Sequence, residues 1–123
     1  MKLQGYVLVV EDDETFAGLI EEHLHWLGAP VVHAGDAVAA YKKALARPPS
    51  LVIMDVNMPG FGNGLDALRS FRGEPSLQNV PVLIVTGLPP DRLRNADLPA
   101  ERILYKPVDW RNFDKVVKSA VGL

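Results

Sequence analysis

The chain contains no cysteine. Disulfide scaffolds, thiolate-ligated zinc and thiol nucleophiles are therefore excluded. No apolar run approaches the roughly 18 to 20 residues that span a bilayer, and the opening Met1-Lys2-Leu3-Gln4-Gly5 leads into a short apolar run that ends in acids, unlike a signal peptide. A formal net charge of -2 leaves no broad basic field, so direct nucleic-acid binding has no electrostatic support. No glycine is followed by Lys and then Ser or Thr, so there is no Walker loop. Gly60, Gly62 and Gly64 follow an apolar strand, but Leu65 and Ala67 stand where a dinucleotide fingerprint needs its last glycine. Linkers, internal repeats and low-complexity stretches are also missing. These absences lead us to expect a soluble, cytoplasmic protein with no membrane partner, built as one domain over residues 1–123 without an output domain.

What is present is an alternation. The 123 residues suffice for one domain with a real core. Short apolar, β-rich runs occur at Tyr6–Val10, Pro30–Val32, Leu51–Met54, Val80–Val85 and Arg102–Tyr105. Between them, apolar residues recur at three- and four-residue steps. The first such stripe is Phe16, Leu19, Ile20, Leu24 and Leu27; the second is Val38, Tyr41, Ala44 and Leu45; the third is Leu65, Leu68 and Phe71. The last, Trp110, Phe113, Val116, Val117 and Ala120, follows Asp109, a suitable N-cap. A fourth helix is short, because Pro89, Pro90 and Pro99 bracket only Asp91 to Asp97. The runs at Tyr6–Val10 and Leu51–Met54 are apolar at nearly every position, as in central parallel strands covered on both faces. Five β-α repeats with right-handed crossovers predict an open, doubly wound α/β domain. Its ligand site should lie beyond the carboxyl ends of the strands.

Residues that carry chemistry stand at those ends. The first strand runs into Glu11-Asp12-Asp13-Glu14, the third ends at Asp55, the fourth at Thr86 and the fifth at Lys106; the second offers only His33. Singly, each has a plain explanation. Acids after a strand complement a helix N-terminus, with Asp13 a plausible cap, and an Asp after a strand is often a turn residue. Together they form a set of carboxylates, a hydroxyl and an ammonium that fits no catalytic triad. Oxygen ligands suit a hard divalent cation such as Mg2+. A carboxylate beside the cation can act as a nucleophile toward phosphorus, with Lys106 and Thr86 meeting the charge on the phosphoryl oxygens. His23 and His25 are two apart on a helix and make a poor metal pair. Trp26 and Trp110 are expected to be packing residues.

These segments match a known family along nearly the whole chain. Val7-Leu8-Val9-Val10-Glu11-Asp12-Asp13, Leu51-Val52-Ile53-Met54-Asp55-Val56-Asn57-Met58-Pro59-Gly60, Pro81-Val82-Leu83-Ile84-Val85-Thr86-Gly87 and Leu104-Tyr105-Lys106-Pro107 resemble, in order, the four motifs of the receiver (response regulator) domains of two-component signalling. The resemblance implies a five-stranded parallel sheet of order 2-1-3-4-5 with five helices, the flavodoxin-like fold. It implies that Asp55 accepts a phosphoryl group from a histidine kinase or histidine phosphotransfer protein. Mg2+, for which Mn2+ can substitute, would be held by Glu11, Asp12, Asp55 and the backbone carbonyl of Asn57. Thr86 and Lys106 would bind the phosphoryl group, and Lys106-Pro107 would be a cis peptide bond. The domain would catalyse only its own phosphorylation and dephosphorylation, and would signal to a downstream protein target, with a phosphorylation-dependent homodimer as one output. The alternatives are a small aspartate-nucleophile phosphatase, which needs a second acid where Asn57 stands, and a pseudo-receiver docking module, which has usually lost the acceptor, acidic pair or lysine.

Three features depart from the family pattern. The loop from Gly60 to Gly64 is one residue longer than usual. The position three before Lys106, commonly a switch aromatic, is Ile103, and Tyr105 should face away from Leu104. The fourth helix is short and bracketed by prolines.

Overall fold

The computed structural model describes residues 4–56, 64–93 and 102–122. In chain order the elements are β1 (Val7–Val10), α1 (Glu14–Trp26), β2 (Val31–Ala34), α2 (Ala37–Ala46), β3 (Leu51–Met54), α3 (Gly64–Gly73), β4 (Val82–Thr86), a 3-10 turn (Pro90–Leu93), β5 (Ile103–Tyr105) and α4 (Trp110–Ala120). All strand pairs are parallel, and the sheet order is β2-β1-β3-β4-β5. This is the expected flavodoxin-like order. The described residues contain four α-helices rather than five. Where the short fourth helix was expected, the 3-10 turn occupies Pro90–Leu93, and the stretch on to Asp97 lies outside the described residues.

The two-residue period of the strands sorts the core into two layers. Val7, Val9, Leu51, Ile53, Leu83 and Val85 point to one face and pack against Ile20 and Leu24 of α1 and Phe113 and Val117 of α4. Leu8, Val10, Val52, Met54, Val82 and Ile84 point to the other and meet Ala40 and Ala44 of α2 and Leu68 and Phe71 of α3. β1, β3 and β4 are buried at every position, as strands covered on both sides must be.

The helix ends have local causes. Asp13 caps α1 by accepting from the Thr15 and Phe16 N–H groups. Asp109 caps α4 in the same way, through Arg111 and Asn112. Asp36 caps α2 through Ala39. At the far end of α1, the Ala29 N–H reaches the Leu24 carbonyl and the Gly28 N–H reaches that of His25. Gly28 stands at φ 74°, the left-handed turn that this closure requires and that glycine adopts without a Cβ penalty.

Some details differ from the sequence pattern. β2 runs to Ala34, which places His33 inside the strand rather than after it. β4 starts two residues later than expected and ends on Thr86 itself. Leu19, Val38 and Leu45 are exposed, because the buried stripes of α1 and α2 run through Ala17, Ile20 and Leu24 and through Ala40 and Ala44. Trp26 is not a packing residue: it is 80% exposed. It lies two positions beyond Leu24, about 200° around the helix from the buried stripe. Trp110 does pack, against the α1/α4 layer. No described helix is long and apolar enough to cross a membrane.

These burial differences set unequal costs for truncation. Phe113 is fully buried between α4 and the sheet, so Phe113→Ala should cost about 3–5 kcal/mol of stability. Trp26→Ala should change it by about 0.5 kcal/mol or less. Urea unfolding of the two variants beside the parent chain measures both.

Candidate functional site

Placing β1 between β2 and β3 reverses the direction in which the chain winds and opens a crevice at the carboxyl ends of β1 and β3. The residues just past the strands are pinned by continuation of the ladder. The Asp55 N–H donates to the Val10 carbonyl at 3.1 Å, Glu11 N–H to Ala34 at 3.1 Å, and Lys106 N–H to Thr86 at 2.8 Å. The side chains of Glu11, Asp55 and Lys106, up to 95 residues apart in sequence, thereby meet at one edge.

Lys106 Nζ lies 3.1 Å from Asp55 Oδ2 and 3.4 Å from Glu11 Oε2. Glu11 Oε1 accepts from the Asp13 N–H at 3.2 Å. Glu11 and Asp55 are buried and Asp12 is exposed, yet oxygens of all three carboxylates lie within 4.8 Å of one another. Three hard oxygen donors at this separation, two of them buried and in contact with the Lys106 ammonium, fit a divalent cation of the magnesium type in donor chemistry. Thr86 ends β4, between β3 and β5, and is fully buried. Its Oγ1 accepts from the Leu88 N–H at 3.1 Å, which leaves its proton for donation to another acceptor. The Lys106-Pro107 bond is cis, as the family resemblance implies. Asn57 and the Gly60–Asn63 part of the long loop lie outside the described residues.

Two contacts to this cluster were not legible in the sequence. His33 Nε2 is 2.7 Å from the Glu11 backbone carbonyl. A carbonyl only accepts, so Nε2 carries the proton and ties the end of β2 to the acidic turn. Phe16, seen in the sequence only as the first residue of an apolar stripe, places its ring centroid 4.2 Å from Lys106 Nζ. Ile103 is partly buried against the α2/α3 layer, while Tyr105, on the opposite face from Leu104, is exposed. The switch-aromatic position is thus filled by packed aliphatic carbon.

Burial pushes the Glu11 carboxyl up to about 7 from an ordinary value of 4.5; the Asp13 N–H bond works against this, the charge of Asp55 adds to it, and Lys106 opposes it. For Lys106, burial alone would lower the pKa, but the bond and charge of Asp55, followed by Glu11, outweigh it and raise the group above its ordinary value. For Glu11 the sign is destabilising. Below about pH 4.5 the folded and unfolded chains are both protonated. Between about 4.5 and 7 the unfolded chain releases its proton and the native one does not, so stability falls as pH rises, by up to roughly 3 kcal/mol. In the presence of a chelator, Glu11→Gln should remove this loss and make the variant more stable than the parent at pH 8. Urea midpoints at pH 5 and pH 8 test this.

The chain matches the model of the response regulator receiver domain over residues 7–118. It is 31% identical over 109 residues to the response regulator PleD of Caulobacter vibrioides, covering 87% of this chain and 24% of that protein. It is 29% identical over 115 residues to the alkaline phosphatase synthesis transcriptional regulatory protein PhoP of Bacillus subtilis, covering 92% of this chain and 47% of that one. The chain thus spans from a quarter to about half the length of these curated relatives. Among solved structures, it superimposes on the signal receiver domain of a signal transduction histidine kinase from Syntrophus aciditrophicus with a TM-score of 0.85 and 29% identity, covering 97% of this chain and 91% of that one. Fold, site geometry and sequence agree: the chain belongs to the response regulator receiver domain family.

Proposed function

We propose that Asp55 is the phosphoryl acceptor of this domain and that a histidine kinase or histidine phosphotransfer protein is the donor. The observation that carries this reading is the setting of Asp55: a buried carboxylate at a strand end, 3.1 Å from an ammonium and within 4.8 Å of two further carboxylates. A carboxylate is a weak nucleophile, and its attack on phosphorus adds negative charge to a site already rich in it. In the reaction an Asp55 oxygen forms a bond to phosphorus as the bond from phosphorus to the donor breaks. The donor's imidazole or carboxylate leaves with the electron pair.

Glu11, Asp12 and Asp55 would hold Mg2+, or Mn2+ in its place, with the Asn57 carbonyl as a further ligand. When bound, the cation supplies charge neutralisation and polarises a phosphoryl oxygen. The chain's own residues do the rest. Lys106, already at Asp55, meets a second equatorial oxygen as charge spreads over the transferring group. The Thr86 proton is the donor for a third. Thr86 is then the residue whose position depends on whether a phosphoryl group is present, and so the start of the outward signal. The product is the modified domain itself, so this chemistry turns over no external metabolite.

The full chain with acetyl phosphate and Mg2+ should gain one phosphoryl group by intact-mass measurement, and Asp55→Asn should abolish the gain. A mass increase that persists in Asp55→Asn would move the acceptor elsewhere. Asp12→Asn should raise the Mg2+ concentration needed for half-maximal phosphorylation by on the order of tenfold or more. A Mg2+ titration of the phosphorylation rate reads this out.

A further inference from the structure

We propose that Phe16 is a positioning residue for Lys106, its ring face holding the ammonium beside Asp55 at the place where a phosphoryl oxygen would meet it. This rests on Asp55 being the acceptor. Three contacts converge on Lys106 Nζ: Asp55 Oδ2 at 3.1 Å, Glu11 Oε2 at 3.4 Å and the Phe16 centroid at 4.2 Å. All three are made at once, so the ring does not draw the lysine away from the carboxylates. The negative face of an aromatic ring attracts a cation within about 6 Å of its centroid, and more strongly when the pair is shielded from water. A lysine alone is a point charge on a flexible stem, and this one is 26% exposed in its side chain.

The half-buried ring has aromatic neighbours of its own: Trp110 lies beside it, with centroids 6.1 Å apart. The indole is stacked on His23 at 4.2 Å and 7°, and meets the edge of fully buried Phe113 at 5.1 Å. The backbone of Phe16 is tied as well. Its N–H donates to Asp13 Oδ1 at 3.1 Å, and the Asp13 N–H donates to Glu11 Oε1. One short segment therefore sets both the acidic pair and the ring, and the two are in register by construction.

The ring offers something the carboxylates do not. When Asp55 is esterified to phosphorus, and when the acids share their charge with a cation, their pull on Lys106 weakens. The ring's attraction is the same before, during and after transfer. It keeps the ammonium at the site while its anionic partner changes from carboxylate to phosphoryl oxygen. A lysine stem merely covering an aromatic ring for packing would place its methylenes there; here the charged nitrogen itself lies over the ring, 4.2 Å from its centroid.

The test compares the full chain with Phe16→Leu, which keeps apolar bulk without the aromatic face, and Phe16→Tyr, which keeps the face. Phe16→Met replaces the leucine variant if that one does not fold. At saturating acetyl phosphate and Mg2+, Phe16→Leu should form the acyl phosphate roughly three- to tenfold more slowly. Its half-saturating Mg2+ concentration should stay within about twofold of the parent, because the acids are untouched, and Phe16→Tyr should restore the rate. A parental rate in Phe16→Leu, or an equal loss in Phe16→Tyr, overturns the proposal. Independently of phosphorylation, the Lys106 ε-methylene protons should be shifted upfield by the ring current in the parent and return to the ordinary lysine range in Phe16→Leu. An absent shift in the parent overturns the ring contact, whereas a parent that shows the shift but takes no phosphoryl group overturns the Asp55 reading instead.

Discussion

Glu11, Asp12 and Asp55 bring three carboxylates to one corner of the sheet, and one ammonium, from Lys106, faces them. Taking carboxylates out of water disfavours their charged form, and like charges this close add to that cost; burial first and the Asp55 charge after it push Glu11 upward. Lys106 offsets part of that charge, and the backbone on which the cluster stands is locked by a sheet whose central strands are wholly buried. Burying one large aliphatic side chain stabilises by about 1.5–3 kcal/mol. The two apolar layers contain many such side chains, enough to sustain a site that is unfavourable on its own.

The two layers differ in what they place beside the site. On the α1/α4 face, aromatic packing reaches the chemistry directly, through Trp110 and Phe16 to Lys106. On the α2/α3 face, Ile103 of β5 is packed against the core while Tyr105, nearer the site on the same face, is exposed. Electrostatics at the edge and packing in one layer meet at Lys106, whose ammonium contacts Asp55 and Glu11 on one side and the Phe16 ring on the other.

Much of this was legible in the sequence, for identifiable reasons. The central strands announced themselves because burial on both faces demands unbroken apolar runs. The caps at Asp13 and Asp109 were readable because capping is a local interaction, complete within three residues. The site residues were readable because the parallel α/β order carries strand ends to one edge whatever the details of packing. Legibility failed where the answer depends on how closely two elements approach. Helical spacing assigned Leu19, Val38 and Leu45 to the buried stripes, but the alanines of α2 and the true stripe of α1 took those places. Trp26 is expected to pack, but its angle around the helix puts it in solvent.

The sequence by itself therefore determined the α/β class, the strand ends that carry chemistry, and the presence there of Glu11, Asp12, Asp55, Thr86 and Lys106. These follow from residue type and local periodicity. Only the tertiary structure decided that the Glu11 carbonyl is held by His33, that Lys106 divides its charge between Asp55 and Glu11, and that Phe16 lies under its ammonium. Each of these joins residues on different elements. Distances between elements are set by the fit of whole faces against the sheet, which no short stretch of sequence contains.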